Sequence, residues 1–242
     1  MELSPHIVVS SQNVPPDIKE KFYKWYDEVY ASLYLKIPGV NALDRYEIIK
    51  KNIEYPENIA IYHHENRNTL VEFARNETRL DLAKDMQTTF YRVERSWFDA
   101  YVLVRSFSST LPATESTIVN DAPVIHIEGY NVDSSEQGKY DQWFMRWASR
   151  VFIPILMKSP GLTFYNCLKL SDLSVKWPNI KYLEAEIPPY ISILYFENLR
   201  DFQSYSESLE YIAFKRVMEI EFPSTLSNIW NVEYKLVKSW RK

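Results

Sequence analysis

Three residues in one short run, His126, Glu128 and Tyr130 of VIHIEGYNV, have the types and spacing of a proton-transfer site. On a strand, positions i, i+2 and i+4 share one face, with neighbours roughly 6.5 to 7 Å apart. A His that titrates near neutrality beside a carboxylate is suited to act as a general base. Glu128 would then orient it or serve as acid, and Tyr130 would donate a hydrogen bond to a developing enolate or phenolate. The competing reading is structural, with His126 bonded to a neighbouring Tyr or backbone group and Glu128 paired to a Lys or Arg. A second strand, HIVVS, carries His6 with Val8 and Ser10 on its face. If the chain repeats, His6 and His126 are near-equivalent. Ile7, Val9, Ile125 and Ile127 are then expected to face helices, leaving both His to point into a cavity. His63-His64 ends another strand, and His64 with Tyr62 is expected to face the same cavity. Trp97 and Trp230 open the last strands of two similar blocks and could cap it, although core packing is the plainer reading. The expected substrate-binding set is therefore His6, Tyr62, His64, Trp97 and Trp230.

Several function classes are disfavoured. With 4 Gly in 242 residues the chain has neither GxGxxG nor GxxxxGK[ST], so nucleotide chemistry is not expected. The net charge is −4, with no basic cluster beyond the short end Lys238 to Lys242, which argues against nucleic acid. The single Cys167 has no partner for an internal disulfide, and no Cys/His metal spacing occurs, so no metal is expected. A reducing cytoplasm fits. MELSPHIVV lacks the pattern of a signal peptide, and no apolar run approaches the ~18 residues of a membrane span. The 18 Tyr and 7 Trp suit a lined cavity or partner surface, or reflect a Tyr-rich background.

The elements that must position these residues follow in order. PHIVVSS reads as a strand. Pro16-Asp17 opens a helix whose apolar stripe is Ile18, Phe22, Trp25, Val29 and Leu33, stopped at Pro38-Gly39. Residues 42 to 50 and 58 to 64 read as strands, and 68 to 86 as one helix with Leu70, Phe73, Glu77 and Leu80 in line. Residues 91 to 107 read as the fourth strand, completing βαββαβ, the ferredoxin-like motif. Residues 1 to 107 form the first repeat, 108 to 121 a Ser/Thr-rich linker, and 122 to 242 the second repeat.

The second repeat restates the first. Tyr140, Phe144, Trp147, Val151 and Ile155, with Pro160-Gly161, follow the first stripe and its stop at an offset of 122. ISILYFEN follows IAIYHHEN at 132, with Phe202, Tyr205, Leu209 and Ile212 as its helix stripe. WNVEYKLVKSW follows WFDAYVLVRSF at 133. An insertion around 171 to 189 stretches the spacing and could lid the cavity or pad the surface. A four-stranded sheet with helices on one face leaves the other bare, which is unstable in water. The expected fold is therefore α+β: two tandem ferredoxin-like βαββαβ repeats packed sheet-to-sheet as an intramolecular dimeric α/β barrel.

WYDEVYASLYLKIPGVNALDRYE resembles the helix-one signature of EthD-type members of the dimeric α/β-barrel superfamily, in Trp25-Tyr26-Asp27, Pro38-Gly39-Val40 and Arg45-Tyr46-Glu47. The second copy keeps Trp147, Ile153-Pro154 and Pro160-Gly161-Leu162. The family's helix-one His falls on Tyr30 and Phe152, so a role resting on it does not transfer. The resemblance implies small aromatic or polyketide-like ligands and members that are monooxygenases, cyclases, decarboxylases, isomerases or, with a proximal His, haem enzymes. Without that His, the expectation is a cofactor-independent enzyme on a hydrophobic small molecule, catalysing cyclisation, decarboxylation or isomerisation in polyketide- or terpenoid-type biosynthesis. The alternatives are a cofactor-free monooxygenase and a non-catalytic small-molecule-binding or stress-response protein. The chain would act as a monomer or a homodimer.

Overall fold

The computed structural model describes residues 6–50, 55–95, 97–109, 122–143, 148, 150–173, 187–221 and 226–242. The order of elements is the α+β order expected, given twice, and places the chain in the dimeric α/β-barrel fold class. The first set is β1 (His6–Gln12), α1 (Lys19–Trp25), α2 (Ala31–Tyr34), β2 (Val40–Ile48), β3 (Asn58–His64), α3 (Arg67–Arg75), α4 (Glu77–Thr89) and β4 (Phe98–Ser108). The second is β5 (Val124–Val132), α5 (Gln137–Trp143), α6 (Ile153–Leu156), β6 (Leu162–Leu170), β7 (Tyr190–Phe196), α7 (Leu199–Ser206), α8 (Leu209–Glu221) and β8 (Leu226–Arg241). Of the expected linker at 108 to 121, Ser108 ends β4; residues 110 to 121, most of the insertion (174 to 186), Phe144 and Trp147 lie outside the described residues.

Two compact units divide the chain. Unit 1 holds the described residues of 1–102, 170–187 and 236–242, and unit 2 those of 103–169 and 188–235. In unit 1 the strand order is β4, β1, β3, β2 and the end of β8. In unit 2 it is the start of β8, then β5, β7, β6 and the end of β4. Both central pairs are antiparallel, β1 with β3 and β5 with β7.

The first helix is helical from Pro16 to Tyr34 but not uniformly α. A π-helical turn, Tyr26–Tyr30, separates α1 from α2. A matching π-helical stretch occurs at Ala148 and Arg150 to Phe152. The buried row is Phe22, Tyr26, Tyr30 and Tyr34, whereas Val29 of the expected stripe is 40% exposed. The expected stripe is thus displaced, because tyrosine rings bury as well as aliphatic chains when their hydroxyls find partners. The same correction holds for Val151, Ile155, Leu209 and Ile212, which are exposed while Tyr211, Phe214 and Met218 are buried; Tyr140 and Tyr205 of the expected stripes are buried as expected.

The expected single helix over 68 to 86 is two. Asn76 ends α3 and caps α4, its side chain accepting from the Arg79 amide. That places Glu77 in a first helical turn, where its charge meets the positive end of the helix dipole. Gly39 and Gly161 both have φ of +77°, and a Cβ there would come 2.2 Å from the side chains of Thr69 and Asp201 respectively. Backbone conformation and close helix approach both demand glycine at these two stops. Among the described residues, no helix is long and apolar enough to cross a membrane.

Candidate functional site

The faces of the strands are opposite to expectation. In unit 1, Val8, Tyr62, Phe98 and Ala100 pack with Tyr26, Tyr30, Tyr34, Leu70 and Phe73 of the helices. Strand alternation therefore sends Ile7 and Val9 to the other side and His6, Tyr62 and His64 to the helices. His64 lies edge-on to Phe73 of α3, with ring centroids 4.6 Å apart. In unit 2 the His126 ring lies 5.1 Å from that of Phe202 on α7. The expectation failed because both faces of strands such as HIVVSSQ and VIHIEGYNV are buried, so periodicity alone does not choose the helix face.

Register corrects the equivalence as well. Val8 pairs with Tyr62, and His126 with Leu194. With the two third strands aligned, His126 corresponds to Val8, Glu128 to Ser10, and His6 to Val124. His6 and His126 are offset by one two-residue step along the same face.

His126, Glu128 and Tyr130 do converge. His126 Nε2 lies 3.4 Å from Glu128 Oε1, and Tyr130 Oη donates to Glu128 Oε2 at 2.5 Å. Two residues join them that the sequence reading missed. Tyr211 of α8 donates to Glu128 Oε1 at 2.9 Å. Glu233, directly across from His126 on β8, brings Oε1 to 3.2 Å from Nδ1. That contact is close enough for an ion pair but off the direction of a hydrogen bond, so Nδ1 lacks a hydrogen-bond partner. The signals for both were present: Glu233 follows from aligning WNVEY beside VIHIEG, and Tyr211 from the buried tyrosine row of α8.

The electrostatics follow from burial. His126 and Glu128 are each 1% exposed. Burial alone would strip the proton from His126, but the hydrogen bond and charge of Glu128 and the facing carboxylate of Glu233 outweigh it and push its pKa up to about 9. Burial would likewise raise Glu128, yet His126, Tyr130 and Tyr211 hold it below its ordinary value. At neutral pH the pair is an imidazolium facing a carboxylate. His126 in this state gives a proton rather than taking one, the reverse of the general-base role expected from the sequence. Glu233 is the network's partly open member, with 27% of its side chain exposed. The Tyr205 hydroxyl, in the same layer and with its ring 4.7 Å from that of Tyr211, is buried without a partner.

The remaining expected residues divide between units and faces. In unit 1, Tyr62 takes part in a hydroxyl chain with Tyr26 at 3.0 Å and Tyr30 at 3.3 Å. His6 is cross-strand from His64 on that face. Trp97 lies on the opposite face of unit 1, where its Nε1 donates to the Tyr101 hydroxyl at 3.1 Å. Trp230 lies on the opposite face of unit 2, packed so closely that a Cβ on Gly129 would come within 2.8 Å of its own Cβ. Neither Trp joins the His126 network. His63 also faces away from the helices, its Nε2 2.9 Å from Asp44 Oδ2. Asp44 accepts further hydrogen bonds from Ser239 and Arg241, and these with His63 outweigh burial and lower its pKa. Among the described residues, no group of three or more His, Cys, Asp or Glu is placed to hold a metal ion.

No family model matches the chain, and no curated protein matches it by sequence. Solved structures do match its fold. An anthrone oxidase-like protein superposes with a TM-score of 0.66 at 10% identity, covering 98% of this chain and 93% of its own. A candidate monooxygenase from Fusobacterium nucleatum gives 0.60 at 10% identity, covering 100% and 96%. A mutant chlorite dismutase from Candidatus Nitrospira defluvii gives 0.56 at 11% identity, covering 98% and 93%. At such identities the likeness is one of fold.

Proposed function

We propose that the protein is a cofactor-independent enzyme that takes a hydrophobic small molecule against the helix-facing layer of unit 2 and moves a proton within it. Cyclisation, decarboxylation and isomerisation of polyketide- or terpenoid-type substrates all turn on such a step. The observation that carries this reading is the buried His126–Glu128 pair with Nδ1 of His126 left open. In the proposed step, the carboxylate of Glu233 removes a C–H proton next to a substrate carbonyl. The C–H electron pair forms a C=C bond, and the carbonyl π pair moves onto oxygen. The Nδ1 proton of His126 meets that oxyanion. Glu128, fixed by Tyr130 and Tyr211, keeps the imidazolium charged and aimed. Donors set in place before charge develops cost little reorganisation when it does. The same reading takes the chain as a fused, two-copy EthD-like protein acting in the cytoplasm as a monomer or homodimer. The paired glycine stops and the paired π-helical turns support the two-copy part.

Anthrone, an aromatic ketone with an acidic CH2, is a suitable probe. Under argon in D2O, the protein is expected to speed exchange of the CH2 protons, read by NMR. His126→Gln and Glu233→Gln should each slow it by about 10²-fold or more. Exchange no faster than in buffer, or unchanged in both variants, would overturn the proposal. A second reading, cofactor-free oxygenation, draws on the anthrone oxidase-like and monooxygenase names of the fold neighbours. It shares the carbanion and differs in its fate: anthrone and O2 give anthraquinone and water. Oxygen uptake on admitting air selects it.

A further inference from the structure

We propose that unit 1 holds a second ligand site, on the helix-facing side of β1 and β3, for a planar aromatic anion such as an arene carboxylate or phenolate. It goes beyond the proton-transfer reading of unit 2 and uses none of its residues.

The first observation is His64. Its side chain is wholly buried, and neither ring nitrogen has a hydrogen-bond partner. A buried imidazole with two unanswered polar atoms costs on the order of 1 to 3 kcal/mol per group unless something answers them. A native structure that keeps such a group calls for a ligand or ordered water there. Burial, with the positive charge of neighbouring groups including Arg79, lowers its pKa to about 3, so the ring is neutral and offers one donor and one acceptor.

The second observation is the wall beside it. Tyr26, Tyr30 and Tyr34 stack in sequence, at 4.6 and 5.1 Å between centroids, and Tyr34 meets Tyr62 at 4.6 Å. Tyr34 and His64 share Phe73 as a neighbour, at 5.1 and 4.6 Å. A row of rings already stacked face to face suits a planar guest that extends it, and the Tyr26–Tyr62–Tyr30 hydroxyl chain runs along the row. The π-helical turn lies within this segment, and such turns are frequent at functional sites.

The third observation sets the charge. Arg79 and Arg95 are both buried in this layer. Arg79 donates to the Ala74 carbonyl, and Arg95 to the Ser10 hydroxyl and the Met86 sulfur. Burial pushes the hydroxyls of Tyr26, Tyr30 and Tyr34 well up, and the charge of Arg95 works against that rise. The positive charge of Arg79 reaches His64 and that of Arg95 reaches the tyrosine wall, so the local field favours a guest with negative charge.

The test uses the full chain and 2-naphthoate as probe, with binding read by calorimetry. Saturable binding is expected, and the uncharged 2-naphthalenemethanol should bind about tenfold more weakly or worse, the worth of one charge-assisted hydrogen bond. Tyr62→Leu with His64→Phe gives unit 1 the residues that unit 2 carries at the matching positions, Leu194 and Phe196. That double variant should lose at least about tenfold in affinity. Tyr62→Phe, which removes a single hydroxyl, provides a milder variant should the double one fail to fold, and should weaken binding severalfold. His126→Gln should bind as the wild type does. The proposal is overturned by no binding at millimolar probe, by equal binding of the neutral analogue, by undiminished binding in the unit 1 variants, or by loss in His126→Gln. None of these outcomes depends on whether unit 2 catalyses proton exchange.

Discussion

The two units spend their buried polarity differently on the same scaffold. In unit 2 the charge comes from the sheet: His126 and Glu128 on β5, Glu233 on β8, with tyrosine hydroxyls gathered onto one carboxylate. In unit 1 the positions matching His126 and Glu128 are Val8 and Ser10, and the polar atoms come from the first helix as Tyr26, Tyr30 and Tyr34. Ala148, Phe152 and Leu156 take those three places in unit 2. One unit thus carries a buried ion pair and the other a tyrosine row around a neutral, unanswered His64. The lesson is that the fold fixes where polar groups can meet, while each unit differs in which element supplies them.

The sharpest way to break this contrast is to remove the carboxylate. Glu128→Leu leaves the His126 imidazolium and two tyrosine hydroxyls without their shared acceptor. Loss of one partner from a buried pair costs about 3 to 5 kcal/mol. Ser10→Ala, the matching change in unit 1, removes one neutral acceptor of Arg95 and should cost nearer ~1 to 2 kcal/mol. Urea unfolding of both variants measures the difference. Equal costs would mean that the two layers are energetically alike.

How much of this the sequence showed depends on what kind of pattern carried it. The duplicated order was legible because glycine stops, caps and strand runs recur at fixed spacing, and those are local demands of backbone geometry. The grouping of His126, Glu128 and Tyr130 was legible for the same reason, since alternation is a property of any strand. The face was not. HIVVSS and NIAIYHH are buried on both sides, so nothing local says which side meets a helix. The protonation state was not legible either. It depends on Glu233, more than 100 positions away in sequence, and on the loss of water around all three groups. The helix stripe was misread by about one position because Tyr26, Tyr30 and Tyr34 bury fully, and hydropathy treats tyrosine as borderline.

pH separates the units by sign. His126 is raised in the fold, so its stabilisation is fully present below about pH 6.5, its unfolded value, and is lost as pH rises towards 9. His64 is lowered, so below about 6.5 the unfolded chain takes up a proton that the folded one refuses, and stability falls as pH drops towards 3. A tenfold change in proton affinity on folding is worth on the order of 1 kcal/mol. Urea midpoints measured from pH 5 to 9 should therefore fall at both ends. His126→Gln should flatten the alkaline side alone and His64→Phe the acid side alone, the latter starting above the carboxylate range. A variant that flattened the wrong limb would show that the assigned histidine does not control it.

The smallest effect tests where the units should agree. Asn66 and Asn198 cap α3 and α7, each side chain accepting from the amide three residues on. Both helices carry the residue that crowds a glycine stop, Thr69 and Asp201. Replacing either Asn by Ala removes a cap worth ~1 kcal/mol. Asn66 has the fuller arrangement, since the Thr69 hydroxyl lies 3.2 Å from the Asn66 amide and closes a reciprocal box. Asn198 instead donates from its side chain to the Asp201 carboxylate at 2.8 Å. That second bond is solvent-exposed and adds little. The amide that donates to Thr69 belongs to the Asn66 backbone and survives in alanine, so Asn66→Ala and Asn198→Ala should cost the same within a few tenths of a kcal/mol. A difference as large as that between Glu128→Leu and Ser10→Ala would mean that the units differ in their framework, and not only in the polar groups placed upon it.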